Sequence, residues 1–307
     1  MRAAVLTGHG DLDVVEYVDD LPVPEPGRGQ VRLKMKAAAL NRLDLFVRRG
    51  WKGLNLDFPH VIGSDGAGVV DKIGEGVTDF AEGDAVAVDP AVYPARLHHT
   101  DYENQARIAI MGEHTSGLAA EYVVVPAYNL VKMPDGFDFK QAAGAGLVYV
   151  TAWHSLVRRG NFQAGESVLI VGAGGGVNTA SIQIAKLAGA STIYVVGSTA
   201  EKCEKAKELG ADVTINREET PDWSRAVFKM TGKRGVDVVV DNVGEATLPM
   251  SIRSVRAGGR ILIVGGTSGF DAQINVAQLF SKHISLIGST MGEHRDYAQV
   301  MNLVFAG

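Results

Sequence analysis

The run Val168-Leu-Ile-Val171 stops at the cluster Gly172-Ala173-Gly174-Gly175-Gly176, and a helical pattern from Val177 to Ala188 begins at once. An uninterrupted apolar run is a strand buried on both faces, which belongs to a parallel sheet covered by helices. The glycines then form a tight turn at a helix N-terminus, where backbone N–H groups and the positive end of the helix dipole meet a pyrophosphate. A dinucleotide ligand is therefore expected, held at Gly172, Gly174, Gly175, Gly176 and Val177. The spacing departs from the usual fingerprint at Asn178, where a last glycine ordinarily lets helix and strand pack closely.

The same half of the chain repeats this alternation. Strand-like runs recur at Thr192–Val196, Val213–Ile215, Val236–Val240, Arg260–Val264 and Ile284–Ile287, separated by helix-like stretches at Thr199–Leu209, Asp222–Met230 and Ala246–Val255. Strand and helix in turn predict an α/β doubly wound parallel sheet of six strands. At 307 residues the chain exceeds most single cores, so two domains are expected. Residues 1 to about 125 supply the other: short strand-like pieces at Val14–Tyr17, Gln30–Ala38, Gly68–Ile73, Ala85–Val88 and Glu121–Val125, with one helical segment around Asn41–Arg49. Pro22-Val-Pro24-Glu-Pro26 is an extended loop, because each proline fixes its own φ and turns its predecessor away from helix.

Composition narrows the class of function. No apolar run reaches the ~20 residues of a membrane span and no cleavable signal precedes Met1-Arg-Ala-Ala-Val, so a cytoplasmic protein without a membrane partner is expected. A net charge of −5 with no basic stripe gives no support for a nucleic-acid partner. The single cysteine rules out a disulfide within the chain and a cysteine-built zinc site. Cys203 shares a helix face with Ala206 and Leu209, which makes it a packed small hydrophobe rather than a nucleophile.

Gly63-Ser64-Asp65-Gly66-Ala67-Gly68, then Gly74, Val77, Phe80 and Gly83-Asp84-Ala85-Val86, resembles the signature of the medium-chain dehydrogenase/reductase family. That family includes zinc alcohol dehydrogenases and zinc-free quinone oxidoreductases. The likeness extends through Ala119–Pro126, Thr151-Ala152-Trp153, Ala188-Gly-Ala190, Lys207–Asp212 and Gly258-Gly259-Arg260, essentially the whole chain. It implies a GroES-like irregular β domain over residues 1–126, followed by a Rossmann domain over 127–307, with the substrate cleft between them. Relatives continue past the helix expected at Asp296–Phe305 and return to the β domain, so the chain is expected to be a fragment lacking that return.

The departures from the family pattern bear on mechanism. The positions that hold zinc in the alcohol dehydrogenases match Asn41, Ser64 and Leu147, and the proton-relay hydroxyl matches Leu43. An amide, a hydroxyl and an isobutyl group do not make the donor set of a catalytic zinc. No zinc is expected, and His98, His99 and His114 are taken as solvated loop residues. Without a Lewis acid, hydride transfer to a quinone or an α,β-unsaturated carbonyl is favoured, because conjugation spreads the developing charge onto an oxygen that hydrogen-bond donors can hold. Asn41-Arg-Leu-Asp44 resembles the Asn-x-x-Asp run of the quinone oxidoreductases. The resemblance makes Asn41 the donor to the carbonyl, with Asp44 either holding that loop and the nicotinamide ribose or serving as a plain helix-end carboxylate. Ser64 and Tyr149 are candidates for a proton route or a substrate wall.

For the cofactor, NADP(H) is expected over NAD(H). The second strand runs into Gly197-Ser198-Thr199-Ala-Glu201-Lys202 without the terminal carboxylate that accepts ribose hydroxyls. Ser198, Lys202 and Arg217 suit a 2′-phosphate, which wants donors and positive charge; the alternative for Lys202 is a solvated charge in a charged run. Asn242, Val243, Gly265, Gly266 and Thr267 follow the fourth and fifth strands and are assigned to the nicotinamide ribose and ring, as is Thr151 by resemblance. The edge Ser285–Thr290 resembles the one through which relatives form a homodimer or larger homo-oligomer. An oxidoreductase acting on a small quinone or enone is the leading expectation. An aldehyde or alcohol dehydrogenase and an NADPH-binding structural or regulatory protein are the alternatives.

Overall fold

The computed structural model describes residues 1–93 and 108–307. The chain divides into two compact units, Met1–Val150 with Glu293–Gly307, and Thr151–Gly292.

Unit 1 is built on a five-stranded antiparallel sheet in the order β10-β6-β5-β3-β9: β3 (Gln30–Ala39), β5 (Asp65–Ile73), β6 (Ala85–Val88), β9 (Tyr122–Pro126) and β10 (Leu130–Lys132). β1 (Ala3–Leu6), β2 (Val15–Val18) and β4 (His60–Val61) form a three-stranded sheet, and β7 (Ala91–Val92) pairs with β8 (Ala109–Ile110). Val31, Leu33, Val70, Val86, Val88, Leu118 and Val125 fill the core between these pieces. Their alternation along each strand is what a sheet with one buried face requires. Helix α1 (Arg42–Arg49) follows β3 directly, α2 (Phe139–Trp153) begins in this unit, and the last helix, His294–Ala306, belongs to it as well.

Unit 2 carries a six-stranded parallel sheet in the order β13-β12-β11-β14-β15-β16. The strands are β11 (Ser167–Val171), β12 (Thr192–Gly197), β13 (Val213–Asn216), β14 (Val236–Asp241), β15 (Val255–Ile263) and β16 (Ser285–Gly288). Every residue of the two central strands β11 and β14 is buried, the valines, leucine and isoleucine as their apolarity demands and Asp237 and Asp241 of β14 with hydrogen-bond partners. Helices α3 (Gly176–Leu187), α4 (Ala200–Glu208), α5 (Trp223–Met230), α6 (Leu248–Ser254) and α7 (Val276–Lys282) fill the connections. Trp223, 1% exposed, anchors α5 against Leu169, Val239 and Ile252 in one cluster.

The α/β class and the two architectures agree with the sequence reading, while several boundaries move. The fifth strand begins at Val255 rather than Arg260, and α6 is correspondingly shorter than Ala246–Val255. α2 carries no clear amphipathic period, since Phe139–Trp153 is apolar almost all round, and so it gave no helical signal. The sequence boundary at 126/127 marks the end of β9, whereas the units part at 150/151. The chain also returns to unit 1 over residues 293–307. There Tyr297 is fully buried and donates from Oη to the Val88 carbonyl at 2.9 Å, and His294 Nδ1 meets Asp89 Oδ2 at 2.9 Å. Among the described residues no helix is long and apolar enough to cross a membrane.

Candidate functional site

In unit 2 the strand order reverses between β11 and β14, and open parallel sheets bind ligands at the carboxyl ends of the strands flanking such a point. Chain leaves β11 through Gly172, whose φ of +114° suits glycine, and Gly175 caps α3. Gly174, Gly175 and Gly176 are exposed, so the first N–H groups of α3 stand open without a Cβ in front of them. These residues fit a pyrophosphate.

Two of the three residues expected at a 2′-phosphate, Ser198 and Lys202, are in contact. Lys202 Nζ donates to Ser198 Oγ at 3.2 Å, and a Cβ on Gly174 would touch the Lys202 side chain at 3.2 Å. Arg217 is tied through its backbone N–H to the carbonyl of Gly197, the last residue of β12 (2.9 Å), and its exposed guanidinium has no partner among the described residues. Glu201 turns along α4 to pair with Lys205 at 2.7 Å. Ser198 and Lys202 thus place a hydroxyl and a positive charge just past the end of β12, where the nearby carboxylate of Glu201 is paired with Lys205.

The loops after β14 and β15 are joined. Asn242 O accepts from Thr267 N (3.3 Å) and Thr267 Oγ1 (3.1 Å), and Val243 O accepts from Ser268 N and Oγ. A Cβ on Gly265 would stand 3.2 Å from Asn242 O, so the glycine permits the close approach, and Gly266 lies under the ring of Phe270. Thr151 is buried, with Oγ1 3.9 Å from Met291 Sδ.

The residue that sequence reasoning missed here is Asp241. It is 1% exposed, and its carboxylate accepts from Val243 N, Gly244 N, Thr247 Oγ1 and Ser251 Oγ at 2.7–3.1 Å. It ties the loop that presents Asn242 and Val243 to the start of α6. Its signal in the sequence is a carboxylate closing an otherwise apolar strand, Val238-Val-Val-Asp241.

In unit 1, α1 places Asn41 and Asp44 together. Asp44 Oδ2 accepts from Asn41 N (2.6 Å) and Oδ1 from Gly63 N (3.0 Å), so the carboxylate both caps α1 and holds the strand entering Ser64-Asp65. Asn41 Nδ2 donates to Asp65 Oδ2 at 2.8 Å, while Asp65 Oδ1 accepts from Leu147 N at 2.7 Å. A Cβ on Gly146 would collide with that carboxylate. Burial pushes the Asp65 carboxyl up to about 7, against the pull of those two donors and with help from the charges of Asp44 and Asp89. Burial also raises Asp44 and Asp89 above the usual carboxylate range, the latter despite His294.

Of the three positions that match zinc ligands, Asn41 and Leu147 meet at the Asp65 carboxylate, through the Asn41 side chain and the Leu147 backbone N–H. As a donor set an amide, a hydroxyl and an isobutyl group do not fit a catalytic zinc, and Asp65 is committed to two N–H donors. Ser64 is fully buried and its Oγ has no partner among the described residues. Tyr149 is half-buried on α2. His114 is a surface residue beside Glu113, and His98 and His99 lie outside the described residues.

Two family profiles match the chain: the alcohol dehydrogenase GroES-like domain over residues 27–135 and the zinc-binding dehydrogenase over residues 176–306. A zinc-type alcohol dehydrogenase-like protein of Schizosaccharomyces pombe is 36% identical over 294 residues, covering 94% of this chain and 82% of the relative. Human quinone oxidoreductase is 29% identical over 306 residues, covering 98% and 85%. A crystal structure described as an NAD-dependent alcohol dehydrogenase superposes with a TM-score of 0.93 at 41% identity, covering 100% of this chain and 90% of that one.

Proposed function

The chain belongs to the medium-chain dehydrogenase/reductase superfamily, in its quinone oxidoreductase-like branch, and on that premise we propose an NADPH-dependent reductase of quinones or α,β-unsaturated carbonyls that works without zinc. The reading rests on one observation above the others: the positions matched to the zinc ligands of alcohol dehydrogenases hold Asn41, Ser64 and Leu147, and the carboxylate beside two of them, Asp65, already has its donors in Asn41 and Leu147. A bound nicotinamide supplies the hydride. The chain's own residues then have to orient the acceptor and stabilise the charge that develops on its oxygen. Asn41 carries two N–H groups on Nδ2. One is committed to Asp65, and we assign the other to the acceptor oxygen. Asp44 fixes Asn41 by bonding its backbone. Ser64 is assigned to a proton route and Tyr149 to the substrate wall.

Ser198, Lys202 and Arg217 favour NADPH, because a 2′-phosphate wants donors and positive charge and β12 does not end in the carboxylate that would accept ribose hydroxyls. The name of the solved relative favours a second reading, an NAD-dependent alcohol dehydrogenase. NADPH oxidation by metal-stripped protein separates the two, with a quinone and an enone set against an aldehyde and with NADH as the comparison cofactor. Turnover of quinone or enone, with NADPH preferred, is expected. Turnover of aldehyde or alcohol alone, or only after zinc is restored, would put the dehydrogenase in its place.

A further inference from the structure

Asn178, standing where the dinucleotide fingerprint calls for glycine, is 2% exposed and fully bonded at both ends of its amide. Nδ2 donates to the carbonyl of Val171, the last residue of β11, at 2.9 Å, and Oδ1 accepts from Asn242 Nδ2 in a short bond. A Cβ on Gly172 would collide with the Asn178 nitrogen, so the glycine turn is shaped around this amide. The pair spans the ends of β11 and β14, where the strand order reverses and a crevice for the ligand is expected.

The polarity of the relay follows from its first member. A backbone carbonyl only accepts, so Asn178 must turn its NH2 to Val171 and its oxygen to Asn242. Asn242 must then turn its own NH2 to that oxygen, which leaves Oδ1 uncommitted among the described residues on a half-buried side chain. The Asn242 backbone is held from the other side by Thr267 and flanked by Asp241. We propose that Asn178 is a positioning residue: it fixes Asn242 as an acceptor for a donor on the nicotinamide riboside half of the dinucleotide, a ribose hydroxyl or the carboxamide NH2. The proposal rests on the reading of unit 2 as an NADP(H) site. With glycine or alanine at 178 the Asn242 amide is free to rotate, and the acceptor is no longer held in advance.

Binding measurements on the full chain test this without turnover: NADPH by fluorescence, and adenosine 2′,5′-bisphosphate and oxidised nucleotides by calorimetry. Asn242→Ala is expected to weaken NADPH roughly three- to tenfold, the range for one hydrogen bond, and to leave the bisphosphate within about twofold. Asn178→Ala should lose about the same, and the double variant should be no weaker than Asn242→Ala alone, since both act through one contact. Asn178→Gly repeats the cycle should the alanine variant not fold. Additive losses, an unchanged NADPH affinity at position 178, or an equal loss for the bisphosphate would overturn the relay. Wild-type protein that binds neither ligand would overturn the underlying NADP(H) reading and the relay with it. The 3-acetylpyridine analogue of NADP⁺ lacks the carboxamide NH2: a penalty in Asn242→Ala for NADP⁺ but not for the analogue assigns the bond to the carboxamide, and equal penalties assign it to the ribose.

Discussion

If the cofactor is NADPH, as proposed, Lys202 is the residue expected to decide it. Its Nζ lies 3.2 Å from Ser198 Oγ, its stem packs beside Gly174, and the nearest acid, Glu201, is engaged elsewhere. A hydrogen bond to a charged group contributes about 1.5–3 kcal/mol. Lys202→Ala is therefore expected to raise the KM for NADPH about tenfold or more and to leave that for NADH within about twofold. Equal effects on the two cofactors would show that Lys202 serves the fold. Ser198, Lys202 and Arg217 could be singled out from the sequence because they sit within a few residues of strand ends. Asp65 stood out there only as part of the Gly63–Gly68 signature. Nothing local says that its partners are Asn41 and Leu147, 24 and 82 residues away.

At the scale of elements, the loop from β14 into α6 hangs on one buried carboxylate. Asp241 receives N–H and O–H donors from four residues, Val243, Gly244, Thr247 and Ser251. Asp241→Ala is expected to lower the unfolding free energy by about 2–4 kcal/mol, seen as a lower denaturant midpoint, with Asp241→Asn losing less because it still accepts from some of them. A midpoint unchanged in Asp241→Ala would mean that solvent replaces the carboxylate. Strand β11 was visible as the uninterrupted apolar run Val168–Val171, and β14 as a valine-rich run broken only by Asp237. Helix α2 was not, because an almost uniformly apolar, Gly- and Ala-rich segment carries no face to detect.

At the scale of whole units, the buried charges respond to pH with opposite signs. Asp44, Asp65 and Asp89 in unit 1 are raised, so their contribution to stability is fully present below the unfolded carboxylate value near 3.8. It is lost as pH rises, for Asp65 through about 7. In unit 2, burial opposes ionisation of Asp237, but Arg234, Ser167 and Arg256 outweigh it and hold the carboxyl well below its ordinary value; that contribution is lost as pH falls. Asparagine mimics the protonated form of Asp65. Relative to Asp65→Asn, the wild type should lose stability between pH 4 and 7 by up to about 1.4 kcal/mol per pH unit. Parallel stability–pH curves for the two proteins would show that Asp65 ionises freely.

The sequence by itself determined the class of sheet, the strand–turn–helix that offers a pyrophosphate site, and the poverty of zinc donors, since burial period, turn residues and side-chain chemistry are written within a dozen neighbouring positions. Only the tertiary structure decided that Asp65 joins Asn41 to Leu147 and that Asn178 reaches Asn242, 64 residues on. Such pairs form when packed strands and helices bring distant segments into register. A buried polar group must then bond whatever partner the packing brings to it.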